Sequence, residues 1–596
     1  MSFLKSNRQC GRLVRPGVNK SSVAVFSPSS LLLCSTTAPI RHRLTLSALR
    51  PLSAFRILAP RPSLFVNVFL SISKAGVACL QRPRSQISPT TRCPNSPDLH
   101  VDLFTLLYVV ISAAFLRCGR RRAALISFVA RRAPHCRIAF SGSPDALGTM
   151  VLREQSTESF HIKVDDRWIL IDEKILRSHP GGSAITTYRN RDASTVFHTF
   201  HVGSKEAYKM LADVKKEQSG LEQPDIKEEK DKVIPGFDDI NIGKYTLTEA
   251  QAAEVTKNFN KLRMEVRRQG LLDASNLFFL RKFFECCAMM AFAVFLQMKE
   301  FYVASALLMG LCWQQLGWMI HEYAHHQHFK NHYLNDLMSY VVGNLMQGFS
   351  SGGWKEQHNV HHAATNVVGR DGDLDLMPLW ATVASDLKLM DTSWYLYLLQ
   401  YQHIYWTLGL PFLRLSWLMQ SIQFVIGMKE HYYSVHHDRA WMEQLALGLH
   451  WFFVCLQLYF LPSNSIRLMF FLISQLTGGF LLAHVVTYNH YSTDKFLHND
   501  KILENYAALQ LYTTRNMRPG IFIDWLWGGL NYQIEHHLFP TMPRHNLKKV
   551  MPLVKQFCAE NKLPYMVDDY FTGWSLGVQQ FANVATLARK ITKKLM

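Results

Sequence analysis

The chain has 596 residues, of which 48% are hydrophobic and 18% are charged, and this composition excludes an intrinsically disordered protein. Its net charge of +20 is concentrated at one end, because residues 1–149 hold 21 of the 65 Lys and Arg but only three acidic residues, Asp98, Asp102 and Asp145. The rest of the chain is close to neutral, which excludes a basic nucleic-acid-binding face on the main body. The eleven cysteines form no Cys-x-x-Cys pair, so neither a zinc ribbon nor a disulfide framework is predicted.

Residues 1–149 are rich in Arg, Ser and Pro and poor in acid, a composition typical of a transit peptide or of a non-native upstream translation. We favour the second interpretation, because the segment is longer than most targeting peptides and Met150 opens a stretch that resembles a domain start. The longest apolar run of this segment, Leu103 to Leu116, is short for a membrane span. We therefore expect a basic Arg/Ser-rich extension that is disordered or non-native.

The sequence from Phe160 alternates apolar and polar residues, as a short sheet does, and leads into His179-Pro-Gly-Gly. A second histidine, His201, follows 22 residues after His179. Two imidazoles could bind a haem iron from both sides, which suits electron transfer because no position stays open for oxygen. Residues 155–213 resemble a cytochrome b5 domain, and the resemblance makes His179 and His201 the axial ligands. His198 is the alternative to His201.

Residues 214–275 are rich in Lys, Glu and Asp and are interpreted as a linker. Thr246-x-x-Glu249 has the pattern of a capping box, which predicts that a helix begins here and ends near Gly270.

Four apolar segments then predict two membrane hairpins. Helices interrupted by polar residues over Trp394 to Met428 are expected to lie at the interface, with a re-entrant pair as the alternative. The fold class expected for residues 276–575 is an α-helical multi-span membrane protein with four transmembrane helices and a cytosolic histidine-box cap, fused to the small α+β haem domain. A helical tail is expected over residues 576–596. The four segments are Leu277–Met298, Phe301–Ile320, Trp441–Leu461 and Leu468–Asn489.

Three histidine boxes fall on one side of these hairpins. The spacings i, i+4 and i, i+3, i+4 place the histidines of a box on one face of a helix. A single box of this kind is weakly diagnostic, whereas three boxes on the same side of a membrane are specific. The boxes are His321 and His325, then His358, His361 and His362, and finally His536 and His537, preceded by Gln533.

Seven imidazoles exceed the four ligands of a tetrahedral zinc, but they suffice for two metal ions. Nitrogen-rich sites with an open position suit iron that activates oxygen. His490, at the end of the fourth segment, is the expected eighth ligand. His484 is the alternative, but it lies about 120° around the helix from His490.

The boxes, the Gln that opens the third box and the preceding haem domain resemble the membrane front-end fatty acid desaturases over residues 155–590. Asn344-Leu-Met-Gln-Gly-Phe, His361-His-Ala-Ala-Thr-Asn and Phe522-Ile-Asp-Trp-Leu-Trp-Gly-Gly-Leu-Asn-Tyr-Gln are most similar to the nematode delta-6 members of that family. The resemblance implies that the seven box histidines bind iron and that Gln533 replaces a histidine.

The resemblance also implies the reaction. A front-end desaturase inserts a cis double bond between the carboxyl end and an existing double bond of a polyunsaturated acyl chain, with delta-6 favoured over delta-5 here. The implied cofactors are haem b and two irons, with O2 as co-substrate. NADH-cytochrome b5 reductase is the implied electron donor, and acyl-CoA or a phospholipid carries the acyl chain. The implied location is the endoplasmic reticulum membrane, with the boxes and the haem domain in the cytosol and no nucleic-acid partner.

Three other functions stay open at this point. A lipid hydroxylase could use the same boxes, and a sphingoid-base desaturase would act on another lipid. A non-catalytic membrane electron carrier would need His179 and His201 but none of the boxes.

Overall fold

The computed structural model describes residues 159–222, 224, 240–389 and 393–595. The basic extension over residues 1–149 lies outside the described residues, as does the centre of the linker. Everything described belongs to one compact unit.

The small N-terminal module, residues 160–217, combines a two-stranded sheet with helices. Strands β1 and β2 pair antiparallel, with Phe160 opposite Ile171 and Val164 opposite Arg167. The alternation seen in the sequence directs Phe160, Ile162 and Val164 into the core of this module. Its elements are β1 Phe160–Val164, β2 Arg167–Ile171, α1 Glu173–Ser178, a 3₁₀ helix Gly182–Tyr188, α2 Ser194–Phe200 and α3 Lys205–Glu217.

The linker helix α4, Glu249–Arg268, begins two residues later than the sequence pattern indicated. Thr248 is the N-cap, and its side chain and that of Gln251 form the reciprocal capping box. Thr246 was the wrong choice because Gln251, three residues after Thr248, reaches back to the N-cap amide. The predicted end near Gly270 agrees with the structure.

Four long helices coincide with the four predicted apolar segments. Two of them, α6 (Tyr302–Ala324) and α13 (Asn464–Tyr491), are long and apolar enough to cross a membrane, with mean hydropathies of 1.3 and 1.7. Side-chain caps from Ser275 and Ser463 begin the first and the last of the four. The helices are α5 Asn276–Met298, α6 Tyr302–Ala324, α12 Ser434–Tyr459 and α13 Asn464–Tyr491.

Helices α6 and α13 approach each other closely because glycines face each other at their crossing. A Cβ on Gly310 would lie 2.7 Å from the carbonyl oxygen of Ser474, and one on Gly478 would lie 3.2 Å from that of Gly310. Small residues at such a crossing let two apolar helices pack backbone to backbone. The C-terminal ends of both helices carry histidines, His321 on α6 and His490 on α13.

The segment between residues 394 and 428 forms short helices whose centre packs against the midpoint of α13. The carbonyl of Pro411 abuts Gly479, and Arg414 donates to the side chain of Gln475 and stacks on Trp313 of α6. The centre of this segment therefore packs into the helix bundle. The helices are α9 Ser393–Leu399, α10 Gln402–Gly409 and α11 Leu413–Gly427.

The remaining elements cover the histidine-bearing ends of α6 and α13. They supply the second and third boxes, on α8 and α16. They are α7 His332–Ser339, a π helix Tyr340–Gln347, α8 Ser351–Ala363, 3₁₀ helices Ala384–Leu389 and Lys501–Glu504, α14 Tyr506–Thr513, β3 Asn516–Met517, α15 Ile521–Leu526, α16 Gln533–Leu538, α17 Arg544–Asn561, β4 Val567–Asp568 and α18 Tyr570–Leu595.

A buried carboxylate ties three of these helices together. Asp336 of α7 contacts Lys355 Nζ of α8 at 2.9 Å, Arg439 Nη1 of α12 at 2.5 Å and His326 Nε2 at 3.0 Å. Burial alone would raise the pKa of Asp336, but the charges of Lys355 and Arg439 and the hydrogen bond with His326 outweigh burial and lower the pKa. Asp336 is therefore the centre of an ion-pair network that fixes α8 against α7 and α12.

We expect Asp336→Ala to lower the free energy of unfolding by about 3 kcal/mol, because it leaves two mostly buried cations without their partner. The measurement is thermal unfolding of the detergent-solubilised protein. Asp166→Ala is the control, since that side chain is 92% exposed and forms only a long ion pair. Equal melting temperatures for the two variants would show that Asp336 does not stabilise the fold.

Candidate metal centre

Five histidines from all three boxes converge at the end of α6. His321 and His325 lie on its last turn and just after it, His358 and His362 on α8 and His536 on α16, with one nitrogen of each within 4.8 Å of those of the others. Ring centroids are 4.5 Å apart for His325 and His362 and for His321 and His536. We call this set the five-histidine group.

A second set, the three-histidine group, adjoins the first. It consists of His361 of α8, His490 of α13 and His537 of α16, whose ligand atoms also lie within 4.8 Å of one another. The rings of His362 and His537 stack with centroids 4.2 Å apart, so the two groups are in direct contact. All eight histidines expected at this centre are thus brought together, including His490.

The nitrogen positions fit metal ions. His362 Nε2 lies 3.1 Å from His358 Nε2 and 3.2 Å from His536 Nε2. Ligands about 2 Å from one metal lie roughly 3 Å from each other, so these spacings are those of a coordination shell. His325 Nε2 and His537 Nε2 are buried without a hydrogen-bond partner. A metal ion would satisfy both nitrogens.

Acceptors behind the rings determine which nitrogen faces inwards. His361 Nδ1 lies 2.9 Å from Asp371 Oδ2, His490 Nδ1 lies 3.1 Å from the Thr513 carbonyl and His537 Nδ1 lies 2.8 Å from Gln510 Oε1. Each Nδ1 therefore carries the proton and donates it, which leaves the Nε2 lone pair for a metal.

Sequence analysis missed these supporting residues. The acidic run Asp371-Gly-Asp373, soon after the second box, was a usable pattern, and Asp373 Oδ2 does accept from His358 Nδ1 at 3.3 Å. Gln510 and Thr513 lie more than a hundred residues from the second box, and no local pattern marks them.

Burial keeps most of these rings neutral. It lowers the pKa of His325, His362, His536 and His537 well below the usual range, and the neighbouring imidazoles lower it further. His361 is different, because the Asp371 carboxylate outweighs the effect of burial and raises its pKa. Neutral imidazole is the form that binds a metal ion.

His484, the alternative eighth ligand, lies away from both groups. Its ring stacks on Trp574 at 4.1 Å, and its Nε2 contacts the hydroxyl of Tyr570. Gln533 does lie at the centre, with its Nε2 2.9 Å from His490 Nε2.

A third group of candidate ligands forms a hydrogen-bonded cluster and not a metal site. It consists of Glu356, His431 and His436. Both Nε2 atoms point at Glu356 Oε2, at 3.2 and 3.0 Å. His431 Nδ1 accepts from the Tyr433 amide at 3.3 Å, so its proton is on Nε2 and faces the carboxylate. A protonated nitrogen offers no lone pair to a metal. The cluster instead connects α8 to α12 by hydrogen bonds.

The small module brings the rings of His179 and His201 close together, with an interplanar angle of 69°. Their ring centroids are 6.3 Å apart, close to the roughly 6 Å expected for two imidazoles that bind one metal from opposite sides. His201 Nδ1 donates to the Phe197 carbonyl at 2.9 Å, which leaves Nε2 free. Burial lowers the pKa of His179 to about 4. His198 is occupied elsewhere, by Asp165 and Tyr208.

This module rests directly on the five-histidine group. Phe200, the residue before His201, meets the His362 ring with centroids 6.3 Å apart. The Tyr188 hydroxyl donates to the Ala363 carbonyl at 3.2 Å. Gly182, with φ of +62°, packs so closely that a Cβ would lie 2.9 Å from Glu356 Cγ. The loop after His179 therefore contacts α8 two residues before the second box.

Comparison with known proteins agrees with this architecture. The family model described as fatty acid desaturase matches residues 301–568. The chain is 62% identical over 447 residues to the Delta(5) fatty acid desaturase fat-4 of Caenorhabditis elegans, covering 75% of this chain and 100% of that protein. It is 47% identical over 437 residues to the Delta(6)-fatty-acid desaturase fat-3 of the same nematode, covering 72% and 98%. Identity to a Delta(8)-fatty-acid desaturase of Euglena gracilis is 35% over 421 residues, covering 70% and 94%.

The resemblance inferred from the boxes is thus confirmed over nearly the whole length of these relatives. The chain belongs to the fatty acid desaturase family, as a front-end desaturase of polyunsaturated fatty acids and an oxidoreductase that acts on fatty acyl lipids.

Proposed function

We propose that the chain inserts a cis double bond between the carboxyl end and an existing double bond of a polyunsaturated acyl chain, using two irons and O2. The observation that carries this proposal is the convergence of eight imidazoles in two adjoining groups. The five-histidine group would hold one iron and the three-histidine group the other. Iron supplies the oxygen chemistry needed to remove hydrogen from an alkyl carbon, which acid or base side chains alone cannot do.

Other residues of the chain orient and bury the histidine rings of this centre. Asp371, Gln510 and the Thr513 carbonyl orient three rings, and seven of the eight rings are buried, His358 alone being partly exposed. A mostly buried set of donors held in place by its neighbours binds a metal with little reorganisation.

Haem b would be held by His179 and His201 and would supply single electrons. The support is the close approach of the two rings and the free Nε2 of His201. Because Phe200 touches His362, the module already lies against the five-histidine group. NADH-cytochrome b5 reductase is the proposed source of electrons.

Four membrane spans are proposed, namely α5, α6, α12 and α13. Besides the apolar α6 and α13, the outer faces of α5 and α12 expose large apolar side chains, such as Phe284 at 61% and Phe452 at 56%. An apolar surface of this extent indicates lipid contact. Since the histidine groups gather at the C-terminal ends of α6 and α13, they would all lie on one side, proposed to be the cytosolic side of the endoplasmic reticulum. The acyl carrier would be coenzyme A or a phospholipid.

The position of the new double bond is proposed to be delta-5. The chain is more similar to the nematode delta-5 enzyme than to the delta-6 enzyme, at 62% against 47% identity. This reverses the preference for delta-6 drawn from the motifs, which both types share.

The first test is expression of the chain in yeast fed with linoleate or with dihomo-gamma-linolenate, followed by mass spectrometry of the fatty acids. A delta-5 enzyme converts the second acid, whereas a delta-6 enzyme converts the first. The double variant His361→Ala, His362→Ala should abolish the product, while His484→Ala should keep it because that ring lies outside both groups. An unchanged product from the double variant, or a hydroxylated product from the wild type, would contradict the proposal.

A second prediction concerns Asp371. Asp371→Asn removes the carboxylate behind His361, and we expect iron affinity to fall about 10- to 100-fold. Iron per chain is measured by plasma mass spectrometry after dialysis against a graded chelator. Asp375→Asn is the matched control, because that exposed side chain lies in the same loop and touches no histidine of either group. The same iron retention in both variants would show that Asp371 has no role in binding.

A further inference from the structure

The orientation of the Gln533 amide is fixed by a chain of hydrogen bonds anchored at both ends. At one end, Asn489 Nδ2 lies 3.0 Å from the Leu530 carbonyl oxygen, which can only accept. The same Nδ2 lies 3.0 Å from Gln533 Oε1. Asn489 therefore donates to both, and the carbonyl oxygen of the Gln533 side chain is turned towards it.

At the other end, the His490 ring is held by a backbone carbonyl. His490 Nδ1 donates to Thr513 O at 3.1 Å, so the lone pair is on Nε2. Gln533 Nε2 lies 2.9 Å from that lone pair and donates to it. Both ends thus require the same orientation: the NH2 group of Gln533 faces the three-histidine group, and its oxygen faces away.

An amide NH2 group cannot bind a cation, because its nitrogen lone pair is delocalised into the carbonyl and its hydrogens point outwards. A metal that took the Nε2 lone pair of His490 would displace the Gln533 NH2 group from it, so that group would lose this acceptor while Asn489 still held the Gln533 oxygen. Gln533 is 4% exposed and Asn489 is fully buried, so water from the bulk solvent does not replace the lost acceptor. A donor left in this position requires an acceptor held by the metal.

We propose that Gln533 is a hydrogen-bond donor to the molecule in the open position of the three-histidine metal, not a metal ligand, and that Asn489 is the positioning residue that sets this orientation. The inference rests on the proposed iron centre. It assigns to Gln533 a role that a histidine presenting its lone pair would not perform, and it gives Asn489 a role that its sequence position does not indicate.

The test uses the purified full-length chain and two measurements, iron per chain and the affinity for azide. Azide is an anion that takes an open iron position and is followed by its charge-transfer absorbance. Gln533→Met keeps the volume but removes the donor, so it should retain the wild-type iron content. Its azide affinity should fall about tenfold, the size of one hydrogen bond to an anion. His490→Ala is the comparison variant and should lose iron.

Asn489→Asp tests the positioning role. The introduced carboxylate can only accept, so it should draw the Gln533 NH2 group towards itself and turn the Gln533 oxygen to the metal. Azide affinity should then fall as in Gln533→Met, although Gln533 is still present and iron is retained. A residue with a merely structural role would lower the melting temperature without this change in azide affinity.

Loss of iron from Gln533→Met to the extent seen in His490→Ala would overturn the inference, since it would make Gln533 a ligand. Unchanged azide affinity in Gln533→Met would overturn it as well. Wild-type affinity in Asn489→Asp would remove the role of Asn489. A wild-type chain that binds no iron would overturn the proposed function and this inference with it, whereas an iron-loaded, active wild type isolates the question to Gln533.

Discussion

Closely spaced imidazole nitrogens repel one another unless a cation lies between them, and the surrounding helices are arranged around this repulsion. His362 Nε2 lies 3.1 Å from His358 Nε2 and 3.2 Å from His536 Nε2, and His362 and His536 are buried. A proton shared between two nitrogens removes the lone-pair repulsion of that pair only. One metal cation removes the repulsion for all the pairs together. The arrangement is therefore stable as a metal site and unfavourable as an empty core, which ties folding of this region to metal binding.

The fold serves this constraint by bringing the ends of distant helices together. Gly310 and Gly478 let α6 and α13 cross closely, so their histidine-bearing ends emerge side by side. Asp336 fixes α8 against α7 and α12, and α8 supplies three of the eight rings. The small module then covers α8 through Tyr188 and Phe200. The module and the helix that carries the second box are therefore in direct contact.

Much of this centre could be predicted from the sequence because its signals are local. Helical spacing places His358, His361 and His362 on one face, and apolar segment lengths locate α6 and α13. The choice of His490 over His484 also followed from position along the helix. Asp371 was within reach of the same reasoning, but Gln510 and the Thr513 carbonyl were not, since their contacts depend on how α14 packs. The cap of α4 was misplaced by two residues because two Thr-x-x-Glu/Gln patterns overlap there. The packing of Pro411 and Arg414 into the bundle depends on glycine positions on α13 that hydropathy does not reveal.

Whether the eight histidines hold a pair of irons is tested by Mössbauer spectroscopy of the full-length chain purified from cells grown with iron-57, together with the metal content per chain. A di-iron centre predicts two non-haem irons per chain that form a coupled pair with nitrogen-rich coordination, in addition to one haem iron. A single non-haem iron per chain, or zinc in place of iron, would contradict it.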